Sequence, residues 1–163
     1  MKNLSQYDKE NIPNGADFKI GIVVSEWNEK ITLNLLKGAK EALLENGVKE
    51  NHIAVHFVPG SFELPLAAQW LLQKEDMDGV ITIGSVIQGE TKHFDFVCNA
   101  TAQGVKDVGL QCNKPAIFCV LTDNTMQQAI DRSGGKHGNK GIEAAVACLK
   151  MIQLKKSIKI NAT

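Results

Sequence analysis

Four short apolar runs alternate along the chain with longer segments of helical spacing, and this alternation limits the possible folds most. The apolar runs cover residues 19–24, 53–58, 80–83 and 116–121. Strict alternation of strand and helix patterns predicts a parallel sheet between helical layers. With right-handed crossovers, the expected fold is α/β: a three-layer, doubly wound, flavodoxin-like domain whose four-stranded parallel sheet is flanked by helices.

Glycine and small polar residues predict where these elements begin and end. Gly47 is expected to end the first helix in a left-handed conformation, and Ser61 to cap the second helix. Gly84 is expected to end the third strand, so that residues 85–92 form a polar loop. Residues 122–124 are expected to form the loop after the fourth strand.

Composition excludes several classes of function. The chain has 163 residues, 44% of them hydrophobic, and equal numbers (18 each) of basic and acidic residues, so no net field attracts nucleic acid or an anionic membrane. No apolar run approaches the roughly 20 residues of a membrane helix, and the N-terminus lacks a signal-peptide core. The four cysteines show no metal-like spacing. We expect a reduced, cytoplasmic protein without a structural metal.

Residues 1–17 differ from the rest because they are polar and contain the turn-like segment Ile-Pro-Asn-Gly at 12–15. We expect an N-terminal arm over 1–17, either disordered or packed on another surface such as a neighbouring subunit. Residues 18–163 are expected to form a single α/β domain, and no internal linker is visible.

A parallel sheet places its strand-to-helix loops at one edge, where open α/β sheets bind ligands. His93 lies where the third loop meets its helix, and an imidazole there can take up and release protons. Its alternative role is that of a solvated or helix-capping histidine. Trp27 in the first loop is expected either to stack on a flat ring or to plug the sheet edge.

Three cations near a glycine-rich break form a second cluster: Arg132, Lys136 and Lys140. They are expected either to hold a phosphate, with arginine binding it bidentately, or to form a solvated basic face. Because they follow a helix, we place them at the edge opposite to the four loops. There they would reach only the loop edge of a neighbouring subunit.

Several segments resemble the signature segments of the lumazine synthase family. They are Pro-Gly-Ser-Phe-Glu-Leu-Pro at 59–65, the run at 84–97 that ends in Thr-Lys-His-Phe-Asp-Phe-Val, and the runs at 118–132 and 135–145. The resemblance extends from about residue 18 to 154. It implies condensation of 5-amino-6-(D-ribitylamino)uracil with 3,4-dihydroxy-2-butanone 4-phosphate to 6,7-dimethyl-8-ribityllumazine in riboflavin synthesis, without cofactor or metal.

The resemblance also implies roles for individual residues. His93 is the expected proton-transferring residue, and Glu90, Thr91 and Arg132 are expected to meet the phosphorylated substrate. The residues expected to bind the ring and the ribityl chain are Trp27, Ser61, Phe62, Glu63, Ser85, Val86 and Ile87, with Phe118 supplied, like Arg132, by an adjacent subunit. Lys140 is expected to approach the ring carbonyl.

Two positions depart from the family pattern. Trp27 stands where many members carry Phe, which widens the expected ring site to flavins, and Gln88 stands where many carry Arg or Lys.

The resemblance also implies an assembly. Family members form pentamers, and the short segment 132–139 favours an icosahedral capsid of about 60 subunits. Riboflavin synthase is a further implied partner. The arm is expected to add a strand to the sheet of a neighbour.

Three other interpretations of the function remain open at this point. The chain is alternatively a non-catalytic flavin- or nucleotide-binding module, an archaeal-type riboflavin synthase that consumes two lumazines, or a structural cage protein. The presence of His93, Glu63 and Arg132 disfavours the cage.

Overall fold

The computed structural model describes residues 6–74 and 76–158, and its centre is one parallel sheet of four strands. The strands are β1 (Ile20–Ser25), β2 (Ile53–Val58), β3 (Gly79–Ile87) and β4 (Ala116–Asp123). They lie in the order β2-β1-β3-β4, and all three neighbouring pairs are parallel. The predicted four-stranded parallel sheet is confirmed, and β2 has the bounds that its sequence predicted.

Helices cover both faces of the sheet. They are α1 (Glu29–Glu45), α2 (Leu64–Leu72), α3 (His93–Cys112), α4 (Met126–Arg132) and α5 (Lys140–Ser157). Helices α1 and α5 pack together on one face, and α2 packs with α3 on the other. The three-layer, doubly wound, flavodoxin-like architecture is therefore confirmed. Within the described residues, no helix is long and apolar enough to cross a membrane.

Burial on both faces explains the continuous apolar runs. All six residues of β1 are buried; Ile22 packs into the core beneath α1 and α5, whereas Val23 packs into the core beneath α2 and α3. A strand covered on both sides has apolar residues at consecutive positions. Burial raises the pKa of Cys119 and of Cys148 to about 12, so both thiols pack as small apolar side chains.

Strand β3 is longer than predicted, because Gly84 does not end it. Residues 85–87 continue the strand and pair with residues 121–123 of β4. A Cβ at Gly84 would lie 2.5 Å from Ser61 Oγ and 3.0 Å from Leu64 Cδ1. The glycine therefore marks a close approach of the chain after β2, and residues 85–87, 122 and 123 belong to strands rather than loops.

The end of the first helix agrees with the predicted one. Gly47 follows the C-cap of α1 with φ +90°, as expected. Helix α2 ends at Leu72, and α3 continues to Cys112, where Asn113 closes it in the left-handed region (φ 50°). The glycine-rich segment after α4 forms a short antiparallel pair, β5 (Ser133–Gly135) with β6 (Gly138–Asn139).

Part of the predicted N-terminal arm packs on its own chain. Ile12 packs against the core beneath α1 and α5, and the Gly15 N–H donates a 2.8 Å hydrogen bond to the Asn46 carbonyl at the end of α1. The first five residues of the arm and residues 159–163 lie outside the described residues. The boundary at residue 18 and the addition of a strand to a neighbour stay predictions.

Helices α1 and α5 approach closely at Gly141, and we predict that Gly141→Ala lowers the free energy of unfolding by about 1–3 kcal/mol. A Cβ there would overlap the backbone oxygen of Leu35, so α1 would have to move. This cost exceeds the roughly 1 kcal/mol by which alanine favours a helix over glycine. The measurement is denaturant unfolding followed by circular dichroism. The control is Gly89→Ala, whose Cβ meets nothing within 4 Å; equal stability of the two variants would contradict the prediction.

Candidate active site

A cavity of about 540 Å³ lies at the carboxyl edge of the sheet. It is bounded by the loop after β1, the turn after β2, the end of β3 and the first turns of α3. The lining residues are Trp27, Asn28, Gly60, Ser61, Phe62, Glu63, Ser85, Val86, Ile87, His93 and Val97. This is the edge at which parallel α/β sheets bind ligands.

Two aromatic side chains stand at the rim of this cavity. Trp27 is 73% exposed and Phe62 is 61% exposed. Trp27 therefore does not plug the edge of the sheet, which was one of its two expected roles. Two exposed aromatic faces beside a cavity form a surface on which a flat ring can stack.

His93 is the first residue of α3, and its side chain is exposed. The first turn is held by other groups, because the His93 backbone N–H donates a 3.3 Å hydrogen bond to Thr91 Oγ1. Among the described residues, no hydrogen bond or ion pair engages the imidazole. The ring is therefore available to a ligand in the cavity, and it does not serve as the cap of α3.

The turn between β2 and α2 is a 3-10 helix over Ser61–Glu63. Glu63 Oε2 accepts a 3.0 Å hydrogen bond from the Gly60 N–H, and the Ser61 carbonyl accepts one of 3.1 Å from Thr101 Oγ1 on α3. The expected capping role of Ser61 is wrong, since the extra turn moves the start of α2 and places Glu63 at the N-cap. These bonds fix the turn against α3, and with it one wall of the cavity.

The extension of β3 forms the floor of the cavity. Strand β1 pairs with β3 only as far as Val24 opposite Ile83, whereas β3 continues to Ile87. Residues 84–87 therefore have β4 on one side and no strand on the other. Ser85 is 2% exposed, and its hydroxyl has no hydrogen-bond partner among the described residues.

The structure places Arg132 differently from the expectation. Its Nη1 lies 3.1 Å from the Gln128 carbonyl and 3.7 Å from Asp123 Oδ1. Asp123 is the last residue of β4, so the guanidinium lies at the carboxyl edge and not at the opposite one. The reason is that α4 has only seven residues and the side chain turns back towards its N-terminus.

Eight of the predicted site residues line the cavity together, and four do not. The eight are Trp27, Ser61, Phe62, Glu63, Ser85, Val86, Ile87 and His93. Glu90 and Thr91 lie exposed in the loop beyond β3, and Arg132 is absent from the lining. Phe118, in the middle of β4, lines a different groove. Lys140 of the second cluster forms a 2.6 Å ion pair with Glu143.

Three lining residues were not among the predicted site residues. They are Asn28, Gly60 and Val97. Asn28 ends the predicted first loop and Gly60 precedes Ser61, so their positions next to predicted residues were the available signal. Val97 faces inward four residues after His93, one helical turn along α3.

Asp123 is the most unusual charge near the site. Its side chain is 8% exposed, and Oδ2 has no partner among the described residues. Burial raises the pKa of the Asp123 carboxyl, and the Arg132 guanidinium only partly opposes this rise. The carboxylate therefore stays near Arg132 at a cost in stability.

Comparison with known proteins decides the family. The family described as 6,7-dimethyl-8-ribityllumazine synthase matches residues 17–156. A relative of that name from Flavobacterium johnsoniae is 58% identical over 160 residues, which cover 98% of this chain and 84% of the relative. The chain belongs to the 6,7-dimethyl-8-ribityllumazine synthase family.

Other lumazine synthases match over nearly their full length. The Christiangramia forsetii protein is 58% identical over 158 residues, covering 96% of this chain and 94% of the relative. The Porphyromonas gingivalis protein is 51% identical over 154 residues, covering 94% and 96%. The resemblance to the lumazine synthase family that the sequence segments indicated is confirmed.

We predict that Asp123→Asn does not destabilise this lumazine synthase family member at neutral pH. Because the carboxyl pKa is raised above 3.8 in the folded state, the wild-type contribution is most favourable at low pH and is lost as pH rises through the folded pKa. The amide has no such dependence. Unfolding free energies measured by denaturant titration between about pH 4 and pH 7 should therefore diverge in favour of the variant.

The matched control for this prediction is Asp131→Asn. It removes the same charge from α4, where Oδ1 accepts a 2.8 Å hydrogen bond from Gln127 in an exposed pair. A stability difference between Asp123→Asn and wild type that stays constant over this pH range would contradict the prediction.

Proposed function

We propose that this chain condenses 5-amino-6-(D-ribitylamino)uracil with 3,4-dihydroxy-2-butanone 4-phosphate to form 6,7-dimethyl-8-ribityllumazine. The observation that supports the proposal most is the cavity at the carboxyl edge, where an unengaged imidazole and two exposed aromatic faces lie together in a chain of this family. One substrate has a flat ring and a polyol chain, and the other a ketone and a phosphate. The cavity has groups suited to each part of the first substrate.

The reaction needs proton transfer at several steps. An aryl amine attacks the ketone, and loss of water gives an imine. Phosphate then leaves by elimination, and the second amine closes the ring with loss of a second water. In this proposal His93 takes and returns the protons, because an imidazole can both accept and donate a proton and the ring lines the cavity without a competing partner.

The ring and the ribityl chain are assigned to the walls and floor. Trp27 and Phe62 cover the pyrimidine ring, and the larger indole leaves room for a wider ring such as a flavin. The groups assigned to the ribityl chain and the ring edges are Ser61, Glu63, Ser85, Val86 and Ile87. Much of the rate would come from holding two small molecules side by side.

The phosphate is assigned to Glu90, Thr91 and Arg132. The backbone donors of the exposed loop after β3 would meet it, and a guanidinium would stabilise the leaving dianion. Within one chain, Arg132 and Phe118 are not among the residues that line the cavity. This separation supports their supply by an adjacent subunit, together with Lys140 near the ring carbonyl. Gln88 in the same loop adds no charge.

Exposed apolar surface supports a homo-oligomer. A groove of about 570 Å³ lies between α3, β4 and α5, lined by Leu110, Phe118 and Met151 among others. Trp70 is 62% exposed and Phe96 is 73% exposed, which adds two large apolar side chains to the surface of the chain. We propose a pentamer, with sites between subunits, that assembles into an icosahedral capsid and associates with riboflavin synthase.

The chemistry of the thiols is compatible with a cytoplasmic location. All four cysteines are free, and two of them are buried in the core. We therefore propose that this lumazine synthase acts in the reducing cytoplasm.

The direct test incubates the protein with both substrates, follows lumazine absorbance, and records light scattering of the same sample. Product formation with the mass of a pentamer or a larger shell is the expected result. Tight flavin binding without lumazine formation would instead favour a non-catalytic binding module.

We predict different kinetic effects for the two ends of the site. His93→Ala should lower kcat by about 100-fold or more, since water would replace the imidazole in proton transfer. Arg132→Ala should mainly raise KM for the phosphorylated ketone by about 10- to 100-fold, the usual effect of losing a hydrogen bond to a charged group. Steady-state kinetics with each substrate varied in turn measures both.

The control for Arg132→Ala is Lys150→Ala, which removes an exposed cation from α5. It should leave both parameters nearly unchanged. This division of roles would be contradicted if His93→Ala and Arg132→Ala lowered kcat by the same factor and raised KM by the same factor.

A further inference from the structure

Asn28 has an unusual backbone conformation for its position. It is the N-cap of α1 with φ 57° and ψ 46°, in the left-handed region. Asn113 is the other non-glycine residue with positive φ in the described part of the chain, and it closes the C-terminus of α3, where this conformation is common. N-caps are normally extended, so the conformation of Asn28 needs another explanation.

The contacts of Asn28 fix the loop after β1 at both ends. Its carbonyl accepts hydrogen bonds from the Ile31 N–H (2.9 Å) and the Thr32 N–H (3.1 Å), which start α1. Its Nδ2 donates a 2.8 Å hydrogen bond to the Ser85 carbonyl on β3. At the other end of the loop, the Glu26 N–H donates to the Val58 carbonyl at 2.9 Å.

The Ser85 carbonyl lies beyond the part of β3 that pairs with β1. The Val80 and Gln88 N–H groups donate to the β4 side, and backbone direction alternates along a parallel strand. The backbone N–H and C=O of Ser85 therefore point towards β1, whose pairing with β3 has already ended at this level. The Asn28 amide takes the place of the missing strand.

Trp27 lies between these two anchors with little packing of its own. Its indole is 73% exposed, and a Cβ added at Gly60 would lie 3.5 Å from its Cδ1. A large side chain with so few contacts loses rotamer freedom when it covers a ligand. A backbone that already directs the ring over the cavity reduces that loss.

We propose that Asn28 is a positioning residue that holds the Trp27 indole over the cavity through its left-handed backbone and its hydrogen bond to the Ser85 carbonyl. The proposal rests on the proposed function insofar as Trp27 covers the ring of the pyrimidine substrate. Order of the indole in the ligand-free protein is a property that does not depend on it.

Two substitutions separate the two contributions. Asn28→Gly keeps the left-handed conformation without strain but loses the amide bond to β3. Asn28→Asp tolerates the same backbone but places a carboxylate oxygen against the Ser85 carbonyl, so repulsion replaces the hydrogen bond. The control is Asn113→Gly, which makes the same change at the left-handed residue remote from the cavity.

The experiment uses the full-length protein with Trp70→Phe, which leaves Trp27 as its only tryptophan because the chain has two. Time-resolved fluorescence anisotropy of the ligand-free protein measures the order of the indole. Asn28→Gly and Asn28→Asp should raise the amplitude of the fast local component above that of the parent and of Asn113→Gly. KM for the ribitylaminouracil should rise by about three- to tenfold, as for loss of one neutral hydrogen bond, while KM for the phosphorylated ketone stays within about twofold.

Unchanged anisotropy in both Asn28 variants, with thermal unfolding showing that they are folded, would overturn the proposal. An equal rise in KM for both substrates would also overturn it, because it would indicate a general disturbance of the site. If the parent forms no lumazine but Asn28→Gly frees the indole, the proposed function is wrong and the positioning role of Asn28 stands.

Discussion

The site depends on a difference in length between neighbouring strands. Strand β3 continues beside β4 for several residues after its pairing with β1 has ended. The continued pairing with residues 121–123 keeps the end of β3 straight and ordered. On its other side, the backbone groups of residues 85 and 87 point to where β1 is no longer paired with β3. Gly84 makes this geometry possible, because the absence of a side chain lets Ser61 and Leu64 pack directly against β3. The floor of the cavity and its nearest wall therefore have the same origin.

The remaining polar groups fall into two sets that the single chain keeps apart. His93, Trp27 and the 3-10 turn face the cavity. Arg132 is held by Asp123 and the Gln128 carbonyl at the end of β4. Burial of the Asp123 carboxylate beside the Arg132 guanidinium costs stability and adds no apolar packing. Buried charged groups of this kind are typical of functional sites. In the proposed assembly, Arg132 of one subunit completes the cavity of the next.

Much of the fold was predictable from the sequence, because covered strands and amphipathic helices leave direct patterns. The predicted bounds of β2, for example, are the observed ones. The errors arose where tertiary contacts decide. Gly84 has the same local appearance whether it ends a strand or admits Ser61. The direction of the Arg132 side chain depends on the shortness of α4 and on Asp123. Asparagine tolerates positive φ, but nothing in the sequence around Asn28 indicates that conformation at the start of a helix.

The most direct test of the central claim mixes two impaired chains. His93→Ala and Arg132→Ala chains are refolded separately and as a one-to-one mixture, and lumazine formation is compared at equal protein concentration and at a ketone concentration well below the wild-type KM. If each site takes His93 from one subunit and Arg132 from its neighbour, about one quarter of the sites in mixed cyclic oligomers regain both side chains. The account predicts activity of about one quarter of the wild-type value. Activity no higher than the mean of the two separate variants would contradict it.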